Sequence, residues 1–359
     1  MLKLKKNNYW ILFGIIVISV VARLFGLGFE SLSVEQKASV ALSVLAGILS
    51  VIGLYLLVKE LFDDKLAALS SFLLAVSFWH ILISKIGAKD IFSSFVLIFA
   101  FYFMWHGLKY NHTFDFFVAG LFGGAGFYIG KGDFIAPLII LLVFWNYWDY
   151  LKKDFSLLKY EQTKTYLLGG FSLLLLTVIA AILPVIFYIW QNPSFVLSLN
   201  NSVLANAEPL NQIYRNLSWI INKILLVDFG NGNLVSWPVS ILFAIGFIKE
   251  LTHWLKRKHG HFSVVHTLLF SWLFVMIIPI LLSAREPSIL ELSVILPPII
   301  ILSAKGLWWV IEKLNRWSHD TYPRLHRHYA GLDAGPMLAM LALLISIAIL
   351  EISKFIPLN

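Results

Sequence analysis

The sequence predicts an all-α membrane protein, one polytopic domain over residues 1–359 with about eleven transmembrane helices, its amino terminus inside and its carboxyl terminus outside. Three observations predict it. Mean hydropathy is +0.81. Charged residues make up 13% of the 359-residue chain, about half the roughly 25% of an ordinary soluble domain, which leaves too little polar surface to cover a soluble fold of this length. The third is the way lysine and arginine alternate along the chain. Apolar stretches near 9–28, 39–58, 65–84, 91–108, 114–130, 134–150, 166–190, 234–251, 264–283, 289–311 and 337–356 each approach the about 20 residues needed to cross about 30 Å of hydrocarbon. Threaded from the inside, they place Lys3, Lys5, Lys6, Lys59, Lys65, Lys109, the Lys152–Lys164 group, Lys249–Lys258 and Lys305–Arg327 on the inner side. Arg23, Lys37, Lys85, Lys89, Lys131, Arg215, Lys223, Arg285 and Lys354 fall outside, a split of nineteen to nine in the direction of the positive-inside rule.

Taken in order, the first stretch follows a basic start and ends at Arg23-Leu-Phe-Gly-Leu-Gly rather than at a small-x-small cleavage site, so it reads as an uncleaved span. The second to fourth are divided by short basic turns at Lys59–Lys65 and by Lys85–Asp90. The fifth carries Gly120, Gly124, Gly126 and Gly130 at small-xxx-small spacing, which reads as close helix packing. Gly124 to Gly132 is not a phosphate loop. It lacks the first glycine at the right offset and the Ser/Thr after Lys131, and no strand precedes it. Between the seventh and eighth spans, 191–232 is an asparagine-rich outer loop or cap punctuated by Pro193 and Pro209, long enough to carry short helices of its own. Its sequons at Asn200 and Asn216 carry little weight. Residues 312–335 form an inner loop. Tryptophans 79, 145, 148, 190, 237, 308 and 309 lie near span ends, as an interfacial belt requires.

Composition also excludes functions. The pI of 9.4 does not imply nucleic acid, because the basic residues sit in short loops beside span ends, where anionic lipid headgroups are the partner. The absence of cysteine excludes disulfides, thiolate metal sites and cysteine nucleophiles. His253, His259, His261 and His266 match no tight ligand spacing and read as a solvated basic loop, as do His326 and His328. No metal ligand set and no cofactor are assigned, although a divalent metal stays open.

Ionisable residues in or beside spans are expensive and point to function. The outer side gathers Arg23, Glu30, Glu35 and Lys37, then Lys85, Lys89 and Asp90, then Lys131 and Asp133, Arg215 and Asp228, and lastly Arg285, Glu286 and Glu291. A mouth with both signs suits a substrate phosphate held by Lys or Arg and a nucleophile activated by a carboxylate. For any single residue, solvation of a short loop is the favoured explanation, less so for Lys85 to Asp90, which enter the fourth span with little polar cover.

Several stretches resemble the C superfamily of polytopic glycosyltransferases, of the protein O-mannosyltransferase and aminoarabinose transferase type. They are Arg23-Leu-Phe-Gly-Leu; Ala41 to Phe62 with Gly47 and Leu54-Tyr55-Leu-Leu; Ser77-Phe-Trp-His80-Ile-Leu-Ile-Ser84-Lys85 followed by Asp90; and Leu282-Ser-Ala, Pro287, Pro297-Pro298 and Gly306-Leu307. Their order covers most of the chain. The resemblance implies transfer of a sugar from a polyprenyl-phosphate donor, in contact with membrane lipids, to a protein, lipid or glycan acceptor on the outer face of a prokaryotic plasma membrane. It implies Asp90, Glu35 or Glu30 as base, and Lys85, Lys89, Arg23, Lys131 and Arg285 as partners of the lipid phosphate. The chain departs from the family in its first outer loop, which is short and lacks the family's Asp-Glu pair, and in Ser288 and Glu291, which stand where the family has His and Arg. A non-catalytic relative that binds lipid-linked sugar or a partner subunit is therefore the second reading. A transporter is the third, since charges are nearly absent from mid-span positions.

The topology has a direct check. Cysteines placed singly at Ser198 and Ser318 of this cysteine-free chain should label from opposite faces with a membrane-impermeant thiol reagent, Ser198 from outside only; labelling from one face would overturn the threading.

Overall fold

The computed structural model describes residues 8–25, 33–154, 157–192, 209–225, 233–256, 261–284, 287–321 and 334–355. Its helices are α1 Asn8–Leu24, α2 Val34–Leu61, α3 Asp64–Val76, α4 Phe78–Lys85, α5 Asp90–Tyr110, α6 Thr113–Ala125, α7 Ala136–Asp154, α8 Leu157–Gln191, α9 Pro209–Leu225, α10 Trp237–Lys256, α11 His261–Leu281, α12 Leu296–Thr321 and α13 Ala334–Ser353. Short 3₁₀ turns at Gly126–Tyr128, Lys131–Ile135 and Glu291–Ile295 join them. Among the described residues, seven helices are long and apolar enough to cross a membrane, and the bent pair α3–α4, taken as one span, makes an eighth. We call the end carrying Leu24, Val34, Lys85 and Asp90 the outer end.

The expected 65–84 span is not one helix. It breaks at Ser77 and bends by 54°, so α4 crosses the outer part of the bundle on a different axis. Local chemistry sets several other boundaries. Ser33 and Gln36 form a capping box that starts α2, with Gln36 N donating to Ser33 Oγ (3.3 Å) and Ser33 N donating to Gln36 Oε1 (2.9 Å). Asp63 Oδ1 accepts from Leu66 N at 2.8 Å to start α3. Gly87, at φ 69°, closes α4: Ala88 N donates to Ile83 O at 3.2 Å, the long bond of a Schellman ending that only a left-handed residue allows cheaply.

Packing in a bilayer relies on small residues and polar contacts more than on apolar burial, because lipid is as apolar as leucine. The α10–α12 crossing shows this at its limit. A Cβ at Gly246 would lie 1.9 Å from Leu302 O, and one at Gly306 would lie 2.0 Å from Leu242 O. The two backbones touch through a glycine on each side. On α6, Gly120 and Gly124 admit Thr177 and Ala181 of α8 in the same way, as the glycine spacing predicted. Phe101, Trp105 and Trp272 fill the centre with no exposure above 1%, and Phe101 meets Trp272 edge to face at 4.7 Å. α8 and α13 lie at the rim with Leu176, Phe187, Leu338 and Ile345 exposed.

α9 falls in the 191–232 segment. Gln212, Asn216, Ile220 and Ile224 face inward, while Leu210, Tyr214, Leu217, Ile221 and Leu225 form an exposed apolar stripe. Asn216 is 1% exposed, and its amide donates to Leu281 O (3.0 Å) and Ser283 O (2.9 Å), capping the end of α11. Its sequon is thereby taken up by structure. Asn200 lies outside the described residues.

Replacing Gly246 with leucine should lower the thermal midpoint in detergent sharply, since over-packing costs about 1–3 kcal/mol even where atoms can shift, and here a backbone carbonyl blocks the way. Gly14→Ala, with no atom within 4 Å of the new carbon, should leave the midpoint unchanged. Equal behaviour of the two would contradict this account of the crossing.

Candidate active site

The outer end contains two linked clusters. The first surrounds α4. Breaking the helix at Ser77 exposes backbone N–H groups that have no intrahelical partner, and Ser77 supplies no side-chain cap. The cap comes from the last helix. Glu351 of α13, 3% exposed, accepts from Phe78 N through Oε2 (2.9 Å) and from Ser236 N, just before α10, through Oε1 (3.0 Å). Lys354 lies 3.5 Å from the same carboxylate. Phe355 packs on Phe78 at 4.7 Å, and Trp79 Nε1 donates to Asn233 O. Residues 351–355 thus lie over α4.

On the other side of α4 sits Arg23. It is fully buried, and its guanidinium donates to Ser19 Oγ (2.7 Å) and Ser19 O (3.0 Å) while lying 2.6 Å from His80 Nδ1. A Cβ at Gly47 would come within 2.8 Å of Arg23 Nε, so the missing side chain there makes room for the cation. A donor phosphate reaches Arg23 only if this packing opens. Lys85, one turn past His80, is half-buried. Its Nζ donates to Phe25 O at 2.6 Å and lies 4.8 Å from the centre of the Phe355 ring.

The second cluster begins just beyond Gly87. Exposed Lys89 stands at the N-cap position of α5 and Asp90 in its first turn, where a carboxylate is favoured by the helix dipole. Ser93 Oγ donates to Asp133 Oδ2 at 2.7 Å. Asp133 is 2% exposed. Ser94 Oγ donates to Ser293 O (2.7 Å), and Ser293 Oγ donates to Asp90 O (3.3 Å). The first turn of α5 is thereby tied to the 131–135 and 291–295 turns.

The fold therefore brings Asp90, Lys85 and Lys89 into one tight turn. Glu35 lies in the exposed first turn of α2, one helical turn before Ser39, whose Oγ donates to Gly87 O at 3.3 Å; residues four apart share a helix face, so Glu35 stands on the face that meets this turn. Lys131 opens the 131–135 turn, with its side chain outside the described residues. Glu30 and Arg285 also lie outside them. Asp133 and Glu351 are buried carboxylates that accept hydrogen bonds from distant parts of the chain, yet no sequence pattern singles them out from the other outer charges.

At the inner end, His266 does not belong to a solvated loop. It is 6% exposed and its Nε2 lies 2.7 Å from Glu250 Oε2. Together with Lys249, Lys305, His253, Trp254 and Ser263 they line a cavity of about 170 Å³.

The arrangement of helices is similar to that of solved polytopic transferases, and part of the chain matches a mannosyltransferase family model. The family model for dolichyl-phosphate-mannose-protein mannosyltransferase matches residues 16–190. Among solved structures, the apo oligosaccharyltransferase of Archaeoglobus fulgidus matches with TM-score 0.58 at 14% identity, over 98% of this chain and 56% of that one. The same organism's oligosaccharyltransferase AglB, in complex with an inhibitory peptide and a dolichol-phosphate, matches with TM-score 0.53 at 16% identity, over 95% and 47%. ArnT from Cupriavidus metallidurans bound to undecaprenyl phosphate matches with TM-score 0.50 at 14% identity, over 97% and 64%. The chain thus spans about half the length of the oligosaccharyltransferases. No curated protein matches it.

The Glu351 cap can be tested alone. Glu351→Ala leaves two buried N–H groups unpaired, each worth about 1–3 kcal/mol, and should lower the thermal midpoint in detergent. Glu351→Gln, which keeps one acceptor oxygen, should fall between the alanine variant and the unmodified protein. An unchanged midpoint for the alanine variant would show that the cap does not hold α4.

Proposed function

We propose that the chain is a membrane glycosyltransferase that moves a sugar from a polyprenyl-phosphate donor to an acceptor on the outer face of a prokaryotic plasma membrane. The observation that carries this reading is the turn from α4 to α5, where Lys85 and Lys89 precede Asp90 and Asp133 is drawn in through Ser93. The solved structures with bound dolichol-phosphate and undecaprenyl phosphate support a lipid-phosphate donor for this fold.

In the proposed reaction the bond between the sugar's anomeric carbon and the phosphate oxygen breaks, and a bond forms from that carbon to the acceptor heteroatom. The acceptor's proton passes to a carboxylate, and the lipid phosphate leaves with the bonding pair. Lysines beside the leaving phosphate offset its charge. Asp90 is the first candidate base and Glu35 the second, with Glu30 third. Asp133, which accepts from Ser93, would steady the first turn of α5 on which Asp90 stands. Lys131, Arg285 and Arg23 remain candidates for the phosphate, Arg23 after local opening. The acceptor class, whether protein, lipid or glycan, is open in this proposal.

Transfer from radiolabelled polyprenyl-phosphate sugars in proteoliposomes tests it. Asp90→Asn should cut turnover by at least about 10²-fold with donor binding nearly intact, because a general base acts in the transition state. The Lys85→Gln/Lys89→Gln pair should weaken donor binding by about 1.5–3 kcal/mol for each charge-assisted hydrogen bond to the phosphate that it removes. If the unmodified protein binds the lipid and transfers nothing across common sugars, the non-catalytic reading replaces this one.

A further inference from the structure

At the inner end, far from the proposed active site, the α5–α6 hairpin gathers a second group of chemistry-bearing side chains. α5 ends at Tyr110, Asn111 reverses the chain at φ 57°, and His112 stands at the N-cap position of α6 with Asp115 in its first turn. His106 lies one turn back on α5. Its Nδ1 sits 2.6 Å from Asp115 Oδ2, and His112 Nδ1 sits 3.7 Å from the same oxygen. All three donor atoms lie within 4.8 Å of one another. We propose that His106, His112 and Asp115 form a binding site for a first-row transition-metal dication of the zinc class, which clips the end of α5 to the start of α6.

A hydrogen bond accounts for His106 and Asp115 alone. It does not account for the second imidazole, whose Nδ1 approaches the same oxygen from beyond hydrogen-bond distance. A cation among the three accounts for both. With metal–ligand bonds of about 2.0–2.1 Å, tetrahedral ligand atoms lie roughly 3.3–3.5 Å apart, so the observed spacings need adjustments of about an ångström, within reach of small side-chain rotations. The surroundings hold two of the ligands ready. Asp115 is 9% exposed. The His106 ring packs on Tyr110 at 4.5 Å, and Tyr110 Oη is fixed by donation to Glu60 Oε2 at 3.1 Å. The His112 side chain is 65% exposed, which leaves water as the fourth ligand. Two imidazoles and one carboxylate favour zinc, cobalt or nickel over magnesium and calcium, which take mainly oxygen ligands. Histidines 253, 259, 261 and 266 are denser in the sequence, but at the α5–α6 hairpin the donor atoms themselves converge. Asp90 and Tyr110 open and close the 21-residue α5, so this site stands about 30 Å from the proposed active site and acts on the stability of the hairpin rather than on the transfer step.

The test uses the full chain in detergent, stripped of metal, with Zn²⁺ titrated against a chromophoric chelator and Co²⁺ as a spectroscopic probe. One equivalent should bind, Co²⁺ should show the visible absorption of low-coordinate imidazole ligation, and Zn²⁺ should raise the thermal midpoint where Mg²⁺ does not. His112→Gln, at an exposed position, should leave the metal-free midpoint unchanged and weaken Zn²⁺ binding at least about 10- to 100-fold, since even an outer-shell partner is worth that much. The pair His106→Gln/His112→Gln should abolish it, while His253→Gln, at the other inner cluster, should have no effect. Absence of a stoichiometric equivalent, binding that persists in the double variant, or binding abolished by His253→Gln would each overturn the proposal.

Discussion

One carboxylate near the end of the chain holds the outer half of the bundle in register. In hydrocarbon every backbone polar group must find a partner within the protein, and the break at Ser77 leaves the start of α4 with none on its own helix. Glu351 meets that need and caps the approach to α10 with its other oxygen. A buried carboxylate is costly to desolvate, and removing the partners of one costs more than the pair contributes. Here two N–H groups, the positive end of α4 and Lys354 at 3.5 Å share its charge. Because Glu351 fixes where α4 begins, it also fixes His80, and through His80 the buried guanidinium of Arg23. The Gly87 turn then sets where α5 begins, and so where Lys89 and Asp90 stand.

The inner half is held differently. There α10 and α12 meet backbone to backbone through Gly246 and Gly306, and the polar contact between Glu250 and His266 ties α10 to α11 at 2.7 Å. Close approach strengthens dispersion contacts, and buried polar pairs are selective about geometry. The two ends therefore differ in kind. The outer end depends on a long-range cap that spans 273 residues of sequence, whereas the inner end depends on helices that almost touch. A change at the outer end can shift α4 without unpacking α10 from α12.

This division explains what the sequence disclosed. Hydropathy and charge placed the membrane-crossing stretches on helices, because burial in lipid selects composition directly, residue by residue. The close packing of Gly120 and Gly124 was legible because small-residue spacing is local. The break at Ser77 was not, because the Ser77-Phe-Trp-His segment has no proline or glycine and is as apolar as its neighbours; only the cap makes the bend stable. Glu351 was not singled out, and Asp133 was one of many outer charges. Their partners, Phe78 and Ser93, lie too far along the chain for any spacing rule to connect them. Arg23 misled in the opposite direction. A basic residue at a span end reads as facing the water interface, but Gly47 and His80 give it an internal pocket.

The short first outer loop bears on how the proposed chemistry could survive. In the family the chain resembles, that loop brings an acidic pair to the reaction centre, and this chain has no such pair there. A base need not come from one particular loop. It needs a carboxylate at the right place, a neighbour that sets its proton affinity, and a nearby cation for the leaving group. Asp90 stands in the first turn of α5, and Asp133, which accepts from Ser93 of that helix at 2.7 Å, comes from the 131–135 turn. On the proposed reading, the acidic pair has moved from the first outer loop to the junction of α5 with the 131–135 turn. Ser93 and Ser293 do the positioning that a longer loop would otherwise do, and the cations sit immediately before the base in sequence instead of on a distant span.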